Sequence, residues 1–240
     1  MTKKILISLT VWTIGSLLTV LLFFVMLLLT ALTFPFDRQR RIVHAQCFWW
    51  CDAIAALNPY WDIHISGLEN IDKKRTYVIV ANHQSLADIV IMYKTRAQFK
   101  WVAKESLFKI PVLGWNLSLA KHIKIHRGKF SSIKQVYREA ATWLRHGMSV
   151  LFFPEGTRSE TNEMKDFQNG AFKLALKEKV PILPIILEGT GNAIPKGSWI
   201  FTTRITCGLK VLPPIETTSF GIADFDALKN LARQKMSGSA

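Results

Sequence analysis

From Ile5 to Phe34 the chain carries no charged residue, so the stretch has no face suited to water. As a helix it is about 45 Å long against a hydrocarbon thickness of about 30 Å, which places it in a membrane. A signal peptide is the weaker reading, because the run exceeds the usual ~7–15 apolar residues and no convincing small-x-small cleavage site precedes Pro35. Lys3 and Lys4 flank one end and Arg38, Arg40 and Arg41 the other, so the charge rule does not choose an orientation. The excess length leaves both a tilted span and a monotopic anchor open.

The stretch from Phe36 to Leu57 is helix-compatible and stops at Asn58-Pro59. Phe48, Trp49, Trp50 and the arginines suit a headgroup region, which predicts an interfacial second helix; a helix packed on the soluble body is the alternative. After Pro59 the pattern changes to short apolar runs alternating with amphipathic segments. Trp61–Ser66, Tyr77–Ala81, Phe99–Val102, Ile123–Ile125, Val150–Phe153 and Ile182–Leu187 are predicted strands. In Ser131–His146, Ile133, Val136, Tyr137, Ala140 and Leu144 recur at helical spacing, with Ser132 and Gln135 at the start and Gly147 at the stop. Asp224–Met236 is a last amphipathic helix. The expectation is therefore an α/β domain over 59–236, a membrane-anchoring helical region over 1–58 and a flexible tail at 237–240.

Composition adds two constraints. A chain of 240 residues that is 49% hydrophobic has ample material for a core. A formal charge of +14 and a pI near 9.9 predict an anionic partner: nucleic acid, an anionic membrane surface or a phosphorylated substrate. The apolar N-terminus favours anionic membrane lipids, and no nucleic acid is expected. Cys47, Cys51 and Cys207 form no Cys-x-x-Cys pair, which argues against a disulfide framework or zinc ribbon. His44, Cys47 and Cys51 share a helical face, but small apolar filling is the commoner role of cysteine.

The candidate chemistry begins at Tyr77–Asp88, where an apolar strand runs into His83 and then Asp88. Ser85 followed by Asp88 resembles a capping box, so His83 precedes the helix it opens. On one ideal helix the two side chains would point about 140° apart, whereas a loop histidine folds back towards a first-turn carboxylate. Asp88 then sets the imidazole tautomer; a surface histidine beside a helix cap is the plain alternative. No Gly-x-Ser-x-Gly elbow supplies a nucleophile, so a substrate hydroxyl is the better proton donor to such a base.

A second site follows the strand ending at Phe153. Gly156 permits a tight turn, Arg158 offers planar donors to a phosphate, and amides around Gly156 and Thr157 add to the same anion site. Glu155 is expected to orient Arg158 or a substrate hydroxyl. A solvated arginine is the alternative for Arg158.

The run Asn82-His83 to Asp88 resembles the His-x4-Asp signature of the glycerolipid acyltransferases, the lysophosphatidate acyltransferase family in particular. Three further blocks follow in the family's order: Lys121–Gly128, Phe152–Ser159 and Val180–Leu187. Together they cover roughly residues 60–215, and their order makes the resemblance more specific than any single block. The resemblance implies a mixed sheet flanked by helices, with His83 as general base and Asp88 as its support. It also implies phosphate contacts from Lys104, Arg127 and Arg158, with Glu155, Gly156 and Thr157 in the same substrate loop. The reaction implied is acyl transfer from acyl-CoA or acyl carrier protein to the hydroxyl of lysophosphatidate, giving phosphatidate at the cytoplasmic face of the inner or plasma membrane, with no cofactor or metal.

The fourth block, with Pro181 and Pro184, is expected either to shape an apolar wall at an edge or bulge or to be a structural strand. Three positions depart from the family pattern: Lys121 and His126 stand where Gly and Asp are usual, and Gln168 follows Phe167 where a basic residue is common. Another lysolipid or amine-containing acceptor therefore stays open. So do two binding-only alternatives, an anionic-lipid-binding protein and a membrane-tethered nucleic-acid binder.

Overall fold

The computed structural model describes residues 2–58, 60–126, 128, 130–159, 163–194, 198–201 and 204–238. Two helices lead the chain, α1 (Thr2–Thr33) and α2 (Arg41–Ala56). Strands β1 (Trp61–Ser66), β2 (Val78–Ala81), β3 (Phe99–Lys104), β4 (Ile123–Ile125), β5 (Ser149–Phe152), β6 (Ile182–Glu188) and β7 (Ile205–Val211) form one sheet in the order β1-β7-β6-β2-β5-β3-β4. Every neighbouring pair is parallel except β6 with β7, so the expected mixed sheet is present. Around it lie α3 (Ala87–Met92), α4 (Glu105–Phe108), α5 (Leu113–Leu119), α6 (Phe130–Arg145), α7 (Gly170–Glu178) and α8 (Phe225–Ser237).

The apolar strand runs fill both faces of this sheet. On β2, Ile79 and Ala81 join the core that includes α2 and α3, while Val78 and Val80 join the opposite core against α6, α7 and α8. A strand buried on both sides has no polar alternation, which is why these runs are continuous in sequence. β7 is different, with Ile205, Cys207, Leu209 and Val211 buried and exposed residues among those between. Its alternation is a usable strand signal in the sequence, although no strand was expected there.

Pro184 lies in β6 between β2 and β7, so the wall-at-an-edge reading is wrong and the structural one holds. Its carbonyl accepts from Leu212 N–H at 3.0 Å, one residue beyond the end of β7. In an antiparallel pair the N–H and C=O of a residue face the same neighbour. The N–H that proline lacks thus falls where the β7 ladder has already ended, and the sheet tolerates it.

The helix expected from Phe36 instead starts at Arg41, because Asp37 caps it. Asp37 Oδ1 accepts from Arg41 N–H at 2.7 Å, and Oδ2 from Ile42 and Val43 N–H at 3.1 and 3.3 Å. The interfacial reading of this helix also needs correction. Val43, His44, Cys47 and Cys51 are buried, and Trp49 and Trp50 pack with Leu22 and Met26 of α1. Trp50 Nε1–H donates to Thr19 Oγ1 at 3.0 Å, so the tryptophans join α1 to α2. Burial pushes the Cys47 and Cys51 thiols up to about 11 and about 12, as suits apolar filling.

α1 is long and apolar enough to cross a membrane, with a mean hydropathy of 2.6. One face presents Leu6, Leu17, Phe24, Leu28 and Leu32 to the outside; the other is held by the body. Trp12 Nε1–H donates to Trp199 O at 2.7 Å, and Phe201 N–H donates to Ser8 Oγ at 3.0 Å.

Lys100, on β3, ties this N-terminal pair to the sheet from a fully buried position. Its Nζ donates to Gln39 O at 2.8 Å and Ala120 O at 2.6 Å, 4.7 Å from the Trp143 ring centroid. Burial lowers its pKa from 10.5 to about 7, Lys121 and Arg40 push the same way, and Asp37 opposes them. In this window the unfolded chain binds the extra proton, so stability should rise as pH increases from about 7 towards 10.5. Urea unfolding at several pH values should show that slope in the wild type and a flatter one in Lys100→Met. Equal slopes would count against it.

Candidate active site

Asn82, directly after β2, extends the sheet with its side chain. Asn82 Nδ2–H donates to Leu187 O and Leu187 N–H donates to Asn82 Oδ1, both at 2.7 Å. The buried amide thus imitates one more peptide pair with β6 and fixes the direction in which the chain leaves the strand. His83 follows in a loop, as the sequence predicts, rather than on α3.

The chain then folds back on one carboxylate oxygen. Asp88 Oδ2 accepts from His83 Nδ1 at 2.7 Å, Gln84 N–H at 2.7 Å and Ser85 N–H at 2.9 Å. Ser85 Oγ accepts from Ala87 N–H at 3.3 Å, which completes a capping-box-like turn. Because Oδ2 is the acceptor for all three, Nδ1 is the ring nitrogen that donates, and in a neutral imidazole the lone pair is then on Nε2. Asp88 is fully buried and the His83 side chain is 14% exposed, so the base is held from behind and open in front.

Two features missed by sequence reasoning lock the ring and its loop. The imidazole stacks on Phe153 with centroids 4.0 Å apart and planes 12° apart. Glu155 is a correction: among the described residues its oxygens pair with backbone amides and not with Arg158. Its Oε1 accepts from His83 N–H at 2.8 Å and its Oε2 from Lys165 N–H at 3.0 Å. Burial holds the Glu155 carboxyl above its usual range, against the opposing pull of the Lys165 and His83 amides. Ser159 N–H also donates to His83 O at 2.8 Å, so the loop after β5 grips the histidine backbone on both sides.

That grip brings the anion-binding loop to the histidine. Gly156 has a φ of +72°, where a side chain would be strained, and its N–H closes a turn on Phe153 O at 3.0 Å. The Gly156 amide is therefore spent, which removes it from the expected anion donors. Thr157 is exposed, and neither its N–H nor the Arg158 guanidinium has a protein partner among the described residues.

Lys104 closes β3 and is exposed. The β2–β5 and β5–β3 registers place it level with Asn82, two strands from β2 or about 10 Å across the sheet. Ile125 of β4 pairs with Lys104; Arg127 lies outside the described residues. The described site residues thus leave the carboxyl ends of parallel strands β2, β3 and β5, where α/β sheets open their ligand crevice.

The departures from the family pattern also acquire a physical context. Lys121 has a φ of +52°, a conformation that glycine adopts freely. His126 Nε2 lies 3.8 Å from a Glu105 oxygen, so a carboxylate remains beside this position.

A family model described as Acyltransferase matches residues 62–188. A 1-acyl-sn-glycerol-3-phosphate acyltransferase of Chlamydomonas reinhardtii is 36% identical over 231 residues, covering 93% of this chain and 66% of that protein. The Borreliella burgdorferi enzyme of the same name is 30% identical over 175 residues, covering 72% and 70%. For the chloroplastic enzyme of Arabidopsis thaliana the figures are 34% over 207 residues, with 85% and 56% covered. The chain thus spans about half to two thirds of the plant and algal relatives. The crystal structure of PlsC, the 1-acyl-sn-glycerophosphate acyltransferase of Thermotoga maritima, superposes with a TM-score of 0.83 at 28% identity, covering 99% of this chain and 96% of that one.

Proposed function

The chain belongs to the Acyltransferase family, and from that premise we propose that it acylates the free hydroxyl of lysophosphatidate to give phosphatidate. The observation that carries this reading is the His83–Asp88 pair, with Nδ1 on a fully buried carboxylate and the imidazole still partly exposed. His83 Nε2 takes the hydroxyl proton as the oxygen attacks a thioester carbonyl. The tetrahedral intermediate collapses, the C–S bond breaks, and the imidazolium returns its proton to the thiolate. Acyl-CoA or acyl carrier protein supplies the thioester.

The acceptor's phosphate is assigned to Arg158, with Thr157 N–H and Lys104 on the same rim and Arg127 as a further contact. Glu155 acts as a positioning residue for the histidine loop. The reaction draws on no cofactor or metal; its chemistry is carried by these side chains. The apolar outer face of α1 supports membrane association; assigning the catalytic domain to the cytoplasmic face is part of the same proposal. Within residues 1–58 α1 serves as the membrane anchor and α2 packs it on the body, the chain's charge of +14 suits anionic lipids, and 59–236 carry the chemistry.

The direct test supplies one thioester, on coenzyme A or on the carrier protein, with a panel of lysolipids. Phosphatidate should form from lysophosphatidate with at least one donor. Acylation confined to another lysolipid, or thioester binding without turnover, would sink the reading.

Arg158→Lys separates the two substrates. A lysine keeps the charge but loses the planar fork, so KM for lysophosphatidate should rise while KM for the thioester stays put. A change confined to the thioester would show that Arg158 serves the donor.

A further inference from the structure

The turn between α4 and α5 is built under strain and presents apolar side chains to the outside. Leu113 N–H donates to Pro111 O at 2.7 Å, and Val112 between them has a φ of 62° and a ψ of −56°. That is a γ-turn of the rare, strained kind, at a β-branched residue that ordinarily avoids positive φ. The packing imposes it. Gly114 sits so close to Phe108 that a Cβ there would lie 2.1 Å from the Phe108 carbonyl oxygen, and Asn116 Nδ2–H ties α5 to Thr19 O of α1 at 3.2 Å. Strain held in place by its surroundings points to a use for the shape it makes.

That shape is an exposed apolar tip. Ile110 is 44% exposed, Pro111 is exposed beside it, and Trp115, in the first turn of α5, is 51% exposed. The Trp115 ring centroid lies 5.3 Å from that of Phe23, and Phe23 lies 5.3 Å from Phe24, which is 60% exposed on the outer face of α1. The apolar outer surface of α1 thus continues, ring to ring, onto the catalytic body. An isolated exposed isoleucine needs no explanation, whereas a patch continuous with a helix fit for a membrane does. Exposed Lys109 directly precedes the tip.

We propose that the α4–α5 turn is a second membrane contact, in which Ile110, Pro111 and Trp115 enter the leaflet that α1 occupies and Lys109 stays among the headgroups. A lipid surface fits this patch because tryptophan favours the interface, lysine reaches back to the headgroups, and the chain as a whole carries a charge of +14. Lys104, on the rim of the His83 crevice, precedes Ile110 by six residues, so the rim lies no more than about 20 Å from the tip. Insertion of the tip keeps the crevice mouth close to the headgroups, where a lipid acceptor and a water-soluble thioester both have access. The inference rests on the proposed membrane association of α1 and not on the proposed reaction.

The test places a nitrobenzoxadiazole fluorophore on one introduced cysteine of the full chain, reconstituted in vesicles of phosphatidylcholine and phosphatidylglycerol whose acyl chains carry bromine. Cys47, Cys51 and Cys207 are buried, which directs the label to the new thiol. Ile110→Cys is read beside Leu28→Cys, on the outer face of α1, and Ile222→Cys, just after Phe220, which packs against the core on the other side of the sheet. Bromine should quench the labels at 110 and 28 several-fold more than the label at 222. Quenching at 28 but not at 110 overturns this inference and leaves the anchor; quenching at neither overturns both; quenching at 110 alone retains the contact and overturns the anchor. If emission at 110 shifts to the blue as the protein-to-lipid ratio rises while bromine leaves it unquenched, a second copy covers the turn and the membrane contact is overturned. Should Ile110→Cys fail to fold, the wild-type chain decides. Phosphatidylcholine with a photoactivated diazirine in its acyl chain should crosslink within residues 109–115, and the absence of crosslinks there overturns the contact.

Discussion

His83→Ala should lower kcat by about 10²- to 10⁴-fold, or ~3–5 kcal/mol of transition-state stabilisation, with little change in lysolipid binding. The lost group is the Nε2 lone pair, and nothing else described at the site replaces it. Glu155 is engaged by the His83 and Lys165 amides, and Asp88 lies fully buried behind the ring. Asp88→Asn should also damage turnover, since an amide no longer accepts equally well from Nδ1–H and two backbone amides. It removes the turn's acceptor as well, so its unfolding must be measured beside its rate. The alanine variant is cleaner, because the His83 backbone keeps its bonds to Glu155 and Ser159. A folded His83→Ala protein with near-normal turnover at saturating substrates would refute general-base catalysis by this residue.

The pairing of His83 with Asp88 was legible because it is local: a capping pattern fixes where the helix starts, and the start fixes which side chains can meet. The role of Glu155 was not. Its partners are backbone amides left without strand or helix bonds, and only the fold reveals which amides those are. Asn82 is a similar case, since its amide completes a ladder with Leu187, more than a hundred residues away. Pro184 misled for the opposite reason. Proline argues against a central strand, but β6 meets that residue where its neighbour β7 has run out. The tryptophans of α2 carried a true amphipathic signal that fits lipid or another apolar helix equally well, and in the fold the other helix is α1.

Removal of residues 1–58 should leave a chain that does not fold cooperatively, even in mild detergent. The strand and helix pattern starting after Pro59 predicts a body able to stand alone, but the packing of α2 argues otherwise. Its Cys47 and Cys51 lie in the same core as Ile91, Tyr93 and Phe99, all buried. His44 stacks edge-on against Phe99 at 5.1 Å. Uncovering large apolar side chains costs about 1.5–3 kcal/mol each, so exposing several approaches the ~5–15 kcal/mol that holds a typical domain together. The cut also strips buried Lys100 of the Gln39 carbonyl. Removal of residues 1–35 is the control, since it spares Asp37, its cap and the whole of α2. That shorter deletion should remain folded while losing the outer apolar face of α1 and, with it, turnover of acceptor embedded in a bilayer. Urea titration followed by tryptophan fluorescence distinguishes the two. A cooperative transition for residues 59–240 at the midpoint of the full chain would show that α2 belongs to the anchor alone.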